Sequence, residues 1–383
     1  MVKREISSEL INLSQQFKAV AVVGPRQSGK TTLVRYVFKD MSYVNLENPD
    51  SRRFAIEDPR GFLSQYSGAI IDEAQRAPEL FSYLQQLLDE DTRKGKFILT
   101  GSNNFLLQEN ISQSLAGRIA YLNLFPFTLS ELSAGIKTNP DTQMLHGTYP
   151  PVYDQKISYT KWYPNYIRTY IERDVRQIKN VSDLISFERF LRLCAGRTGQ
   201  LLNMSNMAIE AGVDAKTIGS WLSVLESSFI VFRLFPYHRN FNKRIVKMPK
   251  LYFYDTGLVC NLLGISDTEQ LVLHPLYGSL FENLVVSELK KLCNNRAKGE
   301  EIYFWRDNTG HETDVLIRQG TRLIPVEIKS GKTIINEFFK GINYWKKLSG
   351  SDNGSVIYPG NQDRLYSEGI KVISWFRLNN VFE

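Results

Sequence analysis

The segment GPRQSGKTTLVRYVF constrains the fold of this chain more than any other. Residues 24–31 match the pattern G-x-x-x-x-G-K-[ST], and the apolar run KAVAVV just before them predicts a short buried strand. The residues that follow have the apolar periodicity of a helix. A strand, a glycine-rich turn and a helix N-terminus in this order direct backbone N–H groups and partial positive charge at phosphate oxygens. We therefore expect an α/β domain with a phosphate site where this strand ends.

The residue types in this segment suit a nucleoside triphosphate bound with a metal ion. Gly24 and Gly29 let the backbone curl around phosphate, Lys30 reaches the β- and γ-phosphates, and the Thr31 hydroxyl ligates Mg²⁺. ATP and Mg²⁺ are accordingly the expected cofactors. The residues expected to contact the nucleotide are Gly24, Pro25, Arg26, Gln27, Ser28, Gly29, Lys30, Thr31, Thr32 and Asn103.

A second strand, in GAIIDEAQ at residues 68–75, ends in two acids. Asp72 is expected to hold Mg²⁺ through water. Glu73 is expected to orient or deprotonate the attacking water, as a general base does. Such a strand end is a weak signal alone, since strands often end in solvated acids. Together with the glycine-rich loop it predicts hydrolysis of the nucleotide as well as binding.

Two further segments place polar side chains near this site. The strand in KFILTGSNN ends at Ser102 and Asn103, either of which would contact the γ-phosphate or the water if strand ends line the ligand crevice. A simple turn explains the same residues. Arg118, in SLAGRIAYLNLFPF, follows a predicted helix end. It would either stabilise transition-state charge on a neighbouring subunit's nucleotide or complement the helix dipole, and the spacing leaves both open.

The middle of the chain has the pattern of a winged helix-turn-helix. DLISFERFLRLCA predicts one helix, and two more surround Gly212 in NMSNMAIEAGVDAKTIGSWLSVLESS. Two strands with a basic loop follow. This wing is predicted to contact nucleic-acid phosphates independently of base sequence, although such modules also contact protein. Its cations, with no acid among them, are Arg239, Lys243, Arg244, Lys247 and Lys250.

The C-terminal third begins with an amphipathic helix, GSLFENLVVSELKKLC, at residues 278–293. Glu282 lies at the edge of its apolar stripe and Glu288 inside it. Three predicted strands follow, EIYFWRD, TDVLIR and RLIPVEIKS. Because side chains alternate along a strand, Glu327 and Lys329 share one face, and Asp314 can lie opposite them on the preceding strand. An ordinary cross-strand ion pair has the same pattern.

These residues carry two family resemblances. The order of nucleotide motifs, polar strand end and Gly-Arg resembles the AAA+ ATPases, which implies ATP hydrolysis, an oligomer and an arginine finger at Arg118. Nearly the whole chain resembles a prokaryotic family that joins an AAA+ domain to a C-terminal domain of unknown function. The resemblance does not assign Arg173 and Asp174. It includes the motifs YPPVYD, YIERDV, RTGQLLN, PYHRNFNKRIVKMPKLYFYDTGL and LFENLVVSELKK.

The C-terminal third also resembles the PD-(D/E)XK nucleases. The resemblance implies a Mg²⁺ site at Asp314 and Glu327, with Lys329 orienting water or stabilising negative charge. Glu282 would be the helix acid, with Glu288 as second choice. The chain departs from the exonuclease branch, because FFKGINYWKK supplies Tyr344 without the glutamine of a Gln-x-x-x-Tyr helix. Nuclease folds also occur as inactive binding domains, so cleavage stays open.

Composition limits the remaining classes. With 43% hydrophobic and 23% charged residues among 383, the chain has the composition of a soluble protein with roughly two or three domains. No apolar run reaches the ~18 residues of a membrane span, and MVKREISSEL lacks the apolar core of a secretory signal. We expect a cytoplasmic protein without a membrane partner. The widely spaced Cys194, Cys260 and Cys293 indicate buried thiols.

Together these patterns predict an α/β protein of successive modules. Residues 1–137 are expected to form an AAA+-like three-layer αβα P-loop domain and residues 138–182 connecting helices. Residues 183–270 would form a winged helix, and residues 271–383 a restriction-endonuclease-like α/β domain. The predicted function is Mg²⁺-dependent ATP hydrolysis by a homo-oligomer, coupled to DNA binding or remodelling; a net charge of +7 permits such a partner. The alternatives are an ATP-regulated nuclease and a nucleotide-controlled signalling or scaffold switch without nucleic acid.

Overall fold

The structure is a computed structural model that describes residues 2–101, 115–133, 139–171, 184–238, 246–366 and 369–383. The chain divides into two compact units. The N-terminal unit comprises Met1–Pro126 with Ser227–Phe229, and the C-terminal unit comprises Phe127–Glu226 with Ile230–Glu383. Among the helices in the described ranges, none has the length and apolar character needed to span a bilayer.

The N-terminal unit alternates strands and helices. Its elements are α1 (Ser7–Gln16), β1 (Ala19–Val23), α2 (Lys30–Val37), β2 (Ser42–Asn45), α3 (Pro49–Glu57), α4 (Pro59–Ser64), β3 (Ala69–Asp72), α5 (Leu80–Glu90), β4 (Phe97–Gly101) and β5 (Ile119–Asn123). The strands form a sheet in the order β2-β3-β4-β1-β5, and all neighbours pair in parallel. The predicted α/β class with a parallel sheet is therefore confirmed.

The register of this sheet determines which side chains meet at its carboxyl edge. Val23 at the end of β1 pairs with Gly101 of β4 and with Asn123 of β5. Asn45 of β2 pairs with Asp72 of β3. The interior strands are continuous apolar runs, as β1 with five buried residues illustrates, because helices cover both faces of a parallel sheet. The loops that follow β1 and β3 consequently emerge along one edge.

The C-terminal unit begins with helices. They are α6 (Leu129–Ser133), α7 (Pro140–His146), α8 (Pro150–Asp154), α9 (Tyr159–Tyr166) with a π-helical turn at Ile167–Ile171, α10 (Leu184–Gly196), α11 (Met204–Ala211) and α12 (Ala215–Ser227). The Asn203 side chain caps α11 by accepting the Asn206 N–H, and Gly212 ends this helix in the left-handed region at φ 75°. Gly212 thus ends the helix where the sequence predicted a turn between two helices.

Two antiparallel strands, β6 (Val231–Leu234) and β7 (Lys250–Phe253), follow α12. The loop between them includes Arg239, Lys243 and Arg244, which lie outside the described residues, as do Arg173, Asp174, Ser102 and Asn103. Lys247 is described and exposed. The winged helix stays a prediction.

The remaining elements form a mixed sheet with helices against it. They are α13 (Thr256–Leu262), α14 (Thr268–Leu273), α15 (Tyr277–Arg296), β8 (Glu301–Arg306), β9 (Glu312–Gln319), β10 (Arg322–Ile328), α16 (Lys340–Ser349), β11 (Gly354–Tyr358), β12 (Arg364–Leu365) and β13 (Ile370–Ser374). The strand order is β12-β13-β11-β10-β9-β8. A fully buried cluster of Trp305, Leu316 and Trp345 joins β8 and β9 to α16, so the helix is held against the face of the sheet by apolar packing.

Candidate functional site

The glycine-rich loop connects β1 to α2 through two backbone positions that require glycine. A Cβ built on Gly24 would lie 2.1 Å from the carbonyl oxygen of Leu124, well inside van der Waals contact. Gly29 has a φ of 92°, a backbone conformation that is strained for every residue other than glycine. Local strand–turn–helix chemistry therefore produces the loop that the sequence predicted.

The interior of this loop is polar and buried. Lys30 is only 6% exposed, and its ammonium donates to the carbonyl oxygens of Gly24 at 2.9 Å and Pro25 at 2.8 Å. Ser28 is fully buried, and its Oγ has no hydrogen-bond partner among the described residues. Helix α2 begins after Gly29 without a side-chain cap and without an acid in its first turn. A loop with these properties suits an anion, because its N–H groups, its lysine and the start of α2 place positive charge together.

Next to the loop, the carboxylate of Asp72 gathers hydroxyl groups. Thr31 Oγ1 donates to Asp72 Oδ2 at 2.9 Å, the Tyr43 hydroxyl donates to the same oxygen at 2.7 Å, and Thr100 Oγ1 bonds to Oδ1. Burial and the bond to Asp72 raise the pKa of Tyr43 well above its ordinary value, so the phenol stays a donor. Sequence patterns identified Thr31 and Asp72 but neither Tyr43 nor Thr100.

These oxygen atoms fit Mg²⁺. A hydroxyl and a carboxylate in contact at the end of β3 are hard oxygen donors, and Mg²⁺ in nucleotide sites takes few protein ligands together with phosphate and water. In the described ranges no set of three or more His, Cys, Asp or Glu side chains is arranged to hold a metal ion. A site of one acid and one hydroxyl is consistent with that finding, since the phosphates would complete the coordination.

Glu73 follows Asp72 in an uncommon backbone conformation. Its φ of 55° and ψ of 43° lie in the left-handed region, which costs a residue with a side chain about 1 kcal/mol or more. Its N–H donates to Thr100 Oγ1 at 3.3 Å, and its carboxylate accepts from Gln75 Nε2 at 2.6 Å. The bonds from neighbouring side chains hold the backbone and the carboxylate of Glu73 in this conformation.

Arg118 is bound to α5 in this structure. Its Nη2 donates to Asp89 Oδ2 at 2.9 Å, its Nε donates to Oδ1, and Nη1 donates to the carbonyl oxygen of Ala116 at 3.1 Å. The hydrogen bond from Arg118 lowers the pKa of Asp89. The predicted helix before Arg118 lies outside the described residues. Whether Arg118 complements the dipole of that helix therefore stays a prediction.

Arg4 is a residue of the loop environment that sequence patterns missed. Arg4 is 6% exposed, and its guanidinium donates through Nη1 to the Ser28 carbonyl oxygen at 2.9 Å and through Nη2 to the Phe125 carbonyl oxygen at 2.6 Å. Arg4 thereby ties the glycine-rich loop to the segment that follows β5. Its position just ahead of the first helix carries no motif; the only available signal was an arginine beside the apolar Ile6 and Leu10.

A second polar site lies in the C-terminal unit, in a cleft of about 390 Å³. We call it the C-terminal cleft. Its charged lining includes two lysines among four carboxylates: Lys250, Glu282, Glu312, Asp314, Glu327 and Lys329. The structure thus brings together Glu282, Asp314, Glu327 and Lys329, which the sequence singled out, and adds Lys250 and Glu312.

Strand pairing explains half of this cleft. β9 and β10 are antiparallel with Val315 opposite Val326, so the register continues to bring Asp314 opposite Glu327. Lys329 Nζ lies 2.6 Å from Glu327 Oε2 and 3.8 Å from Asp314 Oδ2. Asp314 Oδ2 also accepts the Ile328 N–H at 2.8 Å. Both carboxylates therefore have partners within the sheet.

The other half of the cleft comes from α15 and β7. Lys250 Nζ bonds to Glu282 Oε1 at 3.1 Å and to Glu312 Oε1 at 2.5 Å, and the Tyr252 hydroxyl donates to Glu282 Oε1 at 2.5 Å. The sequence grouped Lys250 with the basic loop that is predicted to contact nucleic-acid phosphates, but the structure buries its side chain in the C-terminal cleft. Lys250 begins β7 and is 4% exposed, because strand alternation directs its side chain, with that of Tyr252, toward α15.

Glu288, the second choice for the helix acid, lies elsewhere. It is 1% exposed and pairs with Lys291 at 2.9 Å, while its Oε1 accepts the Leu129 N–H at 2.6 Å. Lys291 also donates to the Phe127 carbonyl oxygen at 2.8 Å. The acid inside the apolar stripe is consequently a structural group that joins α15 to the start of α6, and Glu282 is the helix acid that reaches the cleft.

Burial and mutual repulsion shape the electrostatics of the cleft. Burial and the charge of Asp314 raise the pKa of Glu327 well above its ordinary value, and burial raises the pKa of Glu282. Burial opposes the charge on Lys250, but Glu282 and Glu312 outweigh it and raise the pKa of Lys250. Two protonated lysines therefore face a group of closely spaced acids.

As arranged here, the cleft does not fit the Mg²⁺ ion that the nuclease resemblance implies at Asp314 and Glu327. The absence of a three-acid metal set in the described ranges applies to this cleft as well. Lys250 bonds to Glu282, and Lys329 bonds to Glu327, so ammonium groups occupy oxygens that a cation would need. One carboxylate oxygen stays available to a cation, because Glu327 Oε1 is buried without a hydrogen-bond partner among the described residues.

Tyr344 also lines the cleft, stacked on His311 with ring centroids 3.9 Å apart.

Comparison with sequence families divides the chain into three matches. An AAA domain family matches residues 16–133. A domain of unknown function (DUF8612) matches residues 137–269, and another (DUF4143) matches residues 277–378. The glycine-rich loop and Asp72 fall in the first match, and most of the C-terminal cleft falls in the third.

Two curated mycobacterial proteins are similar over most of the chain. The uncharacterised protein Rv2008c of Mycobacterium tuberculosis is 33% identical over 337 residues, which cover 86% of this chain and 74% of that protein. The uncharacterised protein Mb2031c of Mycobacterium bovis has the same identity and coverage.

Similarity to solved structures is weaker. A Walker-type ATPase of Pyrococcus abyssi is 13% identical with a TM-score of 0.44, over 68% of this chain and 96% of that one. The AMPPCP-bound DnaA of Aquifex aeolicus is 12% identical with a TM-score of 0.30, over 58% of this chain and 85% of that one. Likeness at this level does not transfer function.

Proposed function

Because this chain belongs to the family of the mycobacterial protein Rv2008c and carries an AAA domain at residues 16–133, we propose that its AAA-type ATPase activity requires Mg²⁺ and acts on nucleic acid through the C-terminal unit. The observation that carries the proposal is the contact of the Thr31 hydroxyl with the Asp72 carboxylate at 2.9 Å, beside a glycine-rich loop that holds Lys30. Such a pair provides metal ligands directly next to a phosphate cradle.

In the proposed mechanism the loop binds the phosphates and the residues around Asp72 prepare the chemistry. Lys30 exchanges its bonds to the Gly24 and Pro25 carbonyl oxygens for bonds to phosphate oxygens. Thr31 and Asp72 would hold Mg²⁺, which would supply positive charge to neutralise the phosphates. Glu73, held by Thr100 and Gln75, orients the attacking water and accepts its proton.

Replacing Lys30 tests this assignment. The Lys30→Ala protein is expected to lose at least about tenfold in ATP hydrolysis, because it lacks the ammonium that is proposed to contact the β- and γ-phosphates. Lys39→Ala is the matched control, since Lys39 is an exposed lysine just beyond the same helix. Hydrolysis is measured as phosphate release with excess Mg²⁺. Equal rates for the parent and Lys30→Ala would remove the proposed mechanism.

The proposal includes an oligomer in which Arg118 acts on a neighbour's nucleotide. The bonds to Asp89 hold the guanidinium in an ordered position on α5, and their release would free the Nε and Nη2 donors for phosphate. Arg118→Ala is expected to lose the concentration-dependent part of the ATPase rate, while Asp89→Ala keeps it. A rate per subunit that is independent of protein concentration in the parent would contradict an arginine finger.

Nucleic-acid binding is assigned to the helices α10–α12 and the basic loop between β6 and β7, as a winged helix. The exposed Lys247 supports this assignment on the described side of the loop. Contacts to phosphate predict an affinity for DNA that falls steeply as salt rises and that differs with and without ATP. A signalling or scaffold switch predicts no DNA affinity at physiological salt, so the binding measurement separates the two functions.

A second proposal, favoured by one observation, is that the C-terminal cleft cleaves nucleic acid with ATP as regulator. Glu282, Asp314, Glu327 and Lys329 come from different elements and converge on one cleft. Lys329 would stabilise negative charge on a bound phosphate. Purified protein is incubated with labelled single-stranded, duplex and branched DNA, with Mg²⁺ or Mn²⁺, beside Asp314→Asn. Products that persist in Asp314→Asn would identify a contaminating nuclease.

A further inference from the structure

Lys250 is the unexpected member of the C-terminal cleft. Its side chain is 5% exposed, although it follows a loop that contains four other basic residues. Its ammonium bonds to Glu282 of α15 and Glu312 of β9. Lys250 thereby joins α15 to β9, two elements that are not connected by the strand pairing of the sheet.

The surroundings hold Lys250 in place. Asn283, fully buried, accepts the Phe253 N–H at 2.8 Å through Oδ1 and donates to the Phe253 carbonyl oxygen at 3.0 Å through Nδ2. The amide thereby binds the end of β7 to α15 as a neighbouring strand would. Because Lys250 and Tyr252 point the same way along β7, this attachment directs both at Glu282. The Lys250 ammonium is therefore fixed inside the cleft by its strand and by its two ion pairs, unlike a mobile lysine at the surface.

The bonds in the cleft form two separate groups. Lys250 bonds to Glu282 and Glu312, whereas Lys329 bonds to Glu327 and lies near Asp314. Arg306 adds a contact to Glu312 at 3.3 Å. A divalent cation binds through carboxylate oxygens with available lone pairs, and an ammonium competes for the same oxygens. The charge that a cation would neutralise is partly neutralised by Lys250 already.

We propose that Lys250 is an internal counter-ion that competes with divalent cations for Glu282 and Glu312 and so sets the cation affinity of the C-terminal cleft. The inference rests on the second proposed function, the cleavage site, and assigns its regulation to a residue of β7. It accounts for the mismatch between a cluster of acids and the lack of a ready metal set in the described ranges. The cleft accepts a cation when Lys250 withdraws from Glu282.

The alternative is that Lys250 has only a structural role and stabilises the packing of β7 against α15. Both views predict that removing Lys250 destabilises the protein, because two acids lose a partner. They differ in cation binding. A structural lysine leaves cation affinity unchanged or lowers it through disorder, whereas a competing counter-ion raises it when removed.

The test measures Mn²⁺ binding by electron paramagnetic resonance in full-length, nucleotide-free protein carrying Asp72→Asn, so that the Thr31–Asp72 site does not contribute. Lys250→Met, which keeps the length of the side chain without its charge, is expected to bind Mn²⁺ on the order of tenfold tighter than the Asp72→Asn parent. Lys250→Arg is expected to match that parent. Lys340→Met is the matched control, since Lys340 lines the same cleft but is 75% exposed in its pair with Glu337. Unchanged or weaker binding in Lys250→Met overturns the inference.

A second comparison applies if Lys250→Met does not fold. The double variant Lys250→Met/Glu312→Gln removes the lysine with one of its acids and is compared with Glu312→Gln alone. Tighter Mn²⁺ binding in the double variant supports the inference, and equal binding overturns it. DNA cleavage is assayed on the same variants with Asp72 intact. Tighter Mn²⁺ binding without cleavage in any variant rejects the cleavage site alone, and cleavage by the parent without a gain in Mn²⁺ affinity rejects the role of Lys250 alone.

Discussion

Arg4→Met tests whether the segment ahead of the first helix organises the nucleotide loop. The substitution keeps a flexible apolar side chain but removes the donors to the carbonyl oxygens of Ser28 and Phe125. Both bonds are buried, and a buried acceptor left without a partner costs about 1–3 kcal/mol. Two such acceptors correspond to about 2–6 kcal/mol, with partial relief where water or another donor replaces the guanidinium.

The loss is expected in nucleotide affinity as well as in stability, because Ser28 lies within the phosphate loop. Thermal unfolding is followed with increasing concentrations of a non-hydrolysable ATP analogue and Mg²⁺. The transition that shifts with nucleotide reports the N-terminal unit, since a ligand stabilises the unit that binds it by RT ln(1 + [L]/Kd). In Arg4→Met this transition should occur at lower temperature, and its shift with nucleotide should be smaller.

Lys3→Met is the matched control, because Lys3 is an exposed cation next to Arg4. Lys3→Met should unfold and bind nucleotide as the parent does. A second variant, Arg4→Lys, keeps one ammonium and should recover part of the nucleotide shift. If Arg4→Met unfolds at the parent's temperature with the parent's nucleotide shift, the buried guanidinium does not organise the loop, and the reasoning is refuted.

Three further predictions concern single side chains. Tyr43→Phe removes a charge-assisted hydrogen bond to Asp72, and kcat for ATP should fall about tenfold, for a bond of about 1.5 kcal/mol; an unchanged kcat would contradict a role beside Asp72. The raised pKa of Glu327 means that its contribution to stability is present below the ordinary glutamate value and lost as pH rises through the raised pKa. The melting temperature should therefore fall less in Glu327→Gln than in the parent between about pH 5 and about pH 8. If the melting temperatures of the two proteins change with pH in parallel, burial of the ionised Glu327 carboxylate does not lower stability. Lys247→Ala should reduce the slope of log affinity for DNA against log salt by about 1, and an unchanged slope would place Lys247 outside the interface.

Local patterns predicted the nucleotide half of this protein well. The apolar strand, the glycine turn and the helix of residues 18–38 interact mainly with one another, so spacing and residue type were enough to place Lys30 and Thr31 at a helix start. Asp72 was found for the same reason, since a buried strand that ends in acids is a short-range pattern. Glu327 and Lys329 followed from alternation along one strand, and their pairing with Asp314 from the hairpin that joins β9 to β10.

Long-range packing decided the residues that no pattern identified. Tyr43 reaches Asp72 only because β2 pairs with β3, and Arg4 reaches Ser28 across 24 positions of sequence. In sequence, Lys250 is one more cation at the end of a basic loop. In the structure it belongs to β7, which the Asn283 amide binds to α15, and it therefore contacts Glu282 of that helix. A charge run has the same sequence whether it faces water or a buried acid. Its role depends on which distant surface lies opposite, and that is a property of tertiary contacts between elements far apart in the chain.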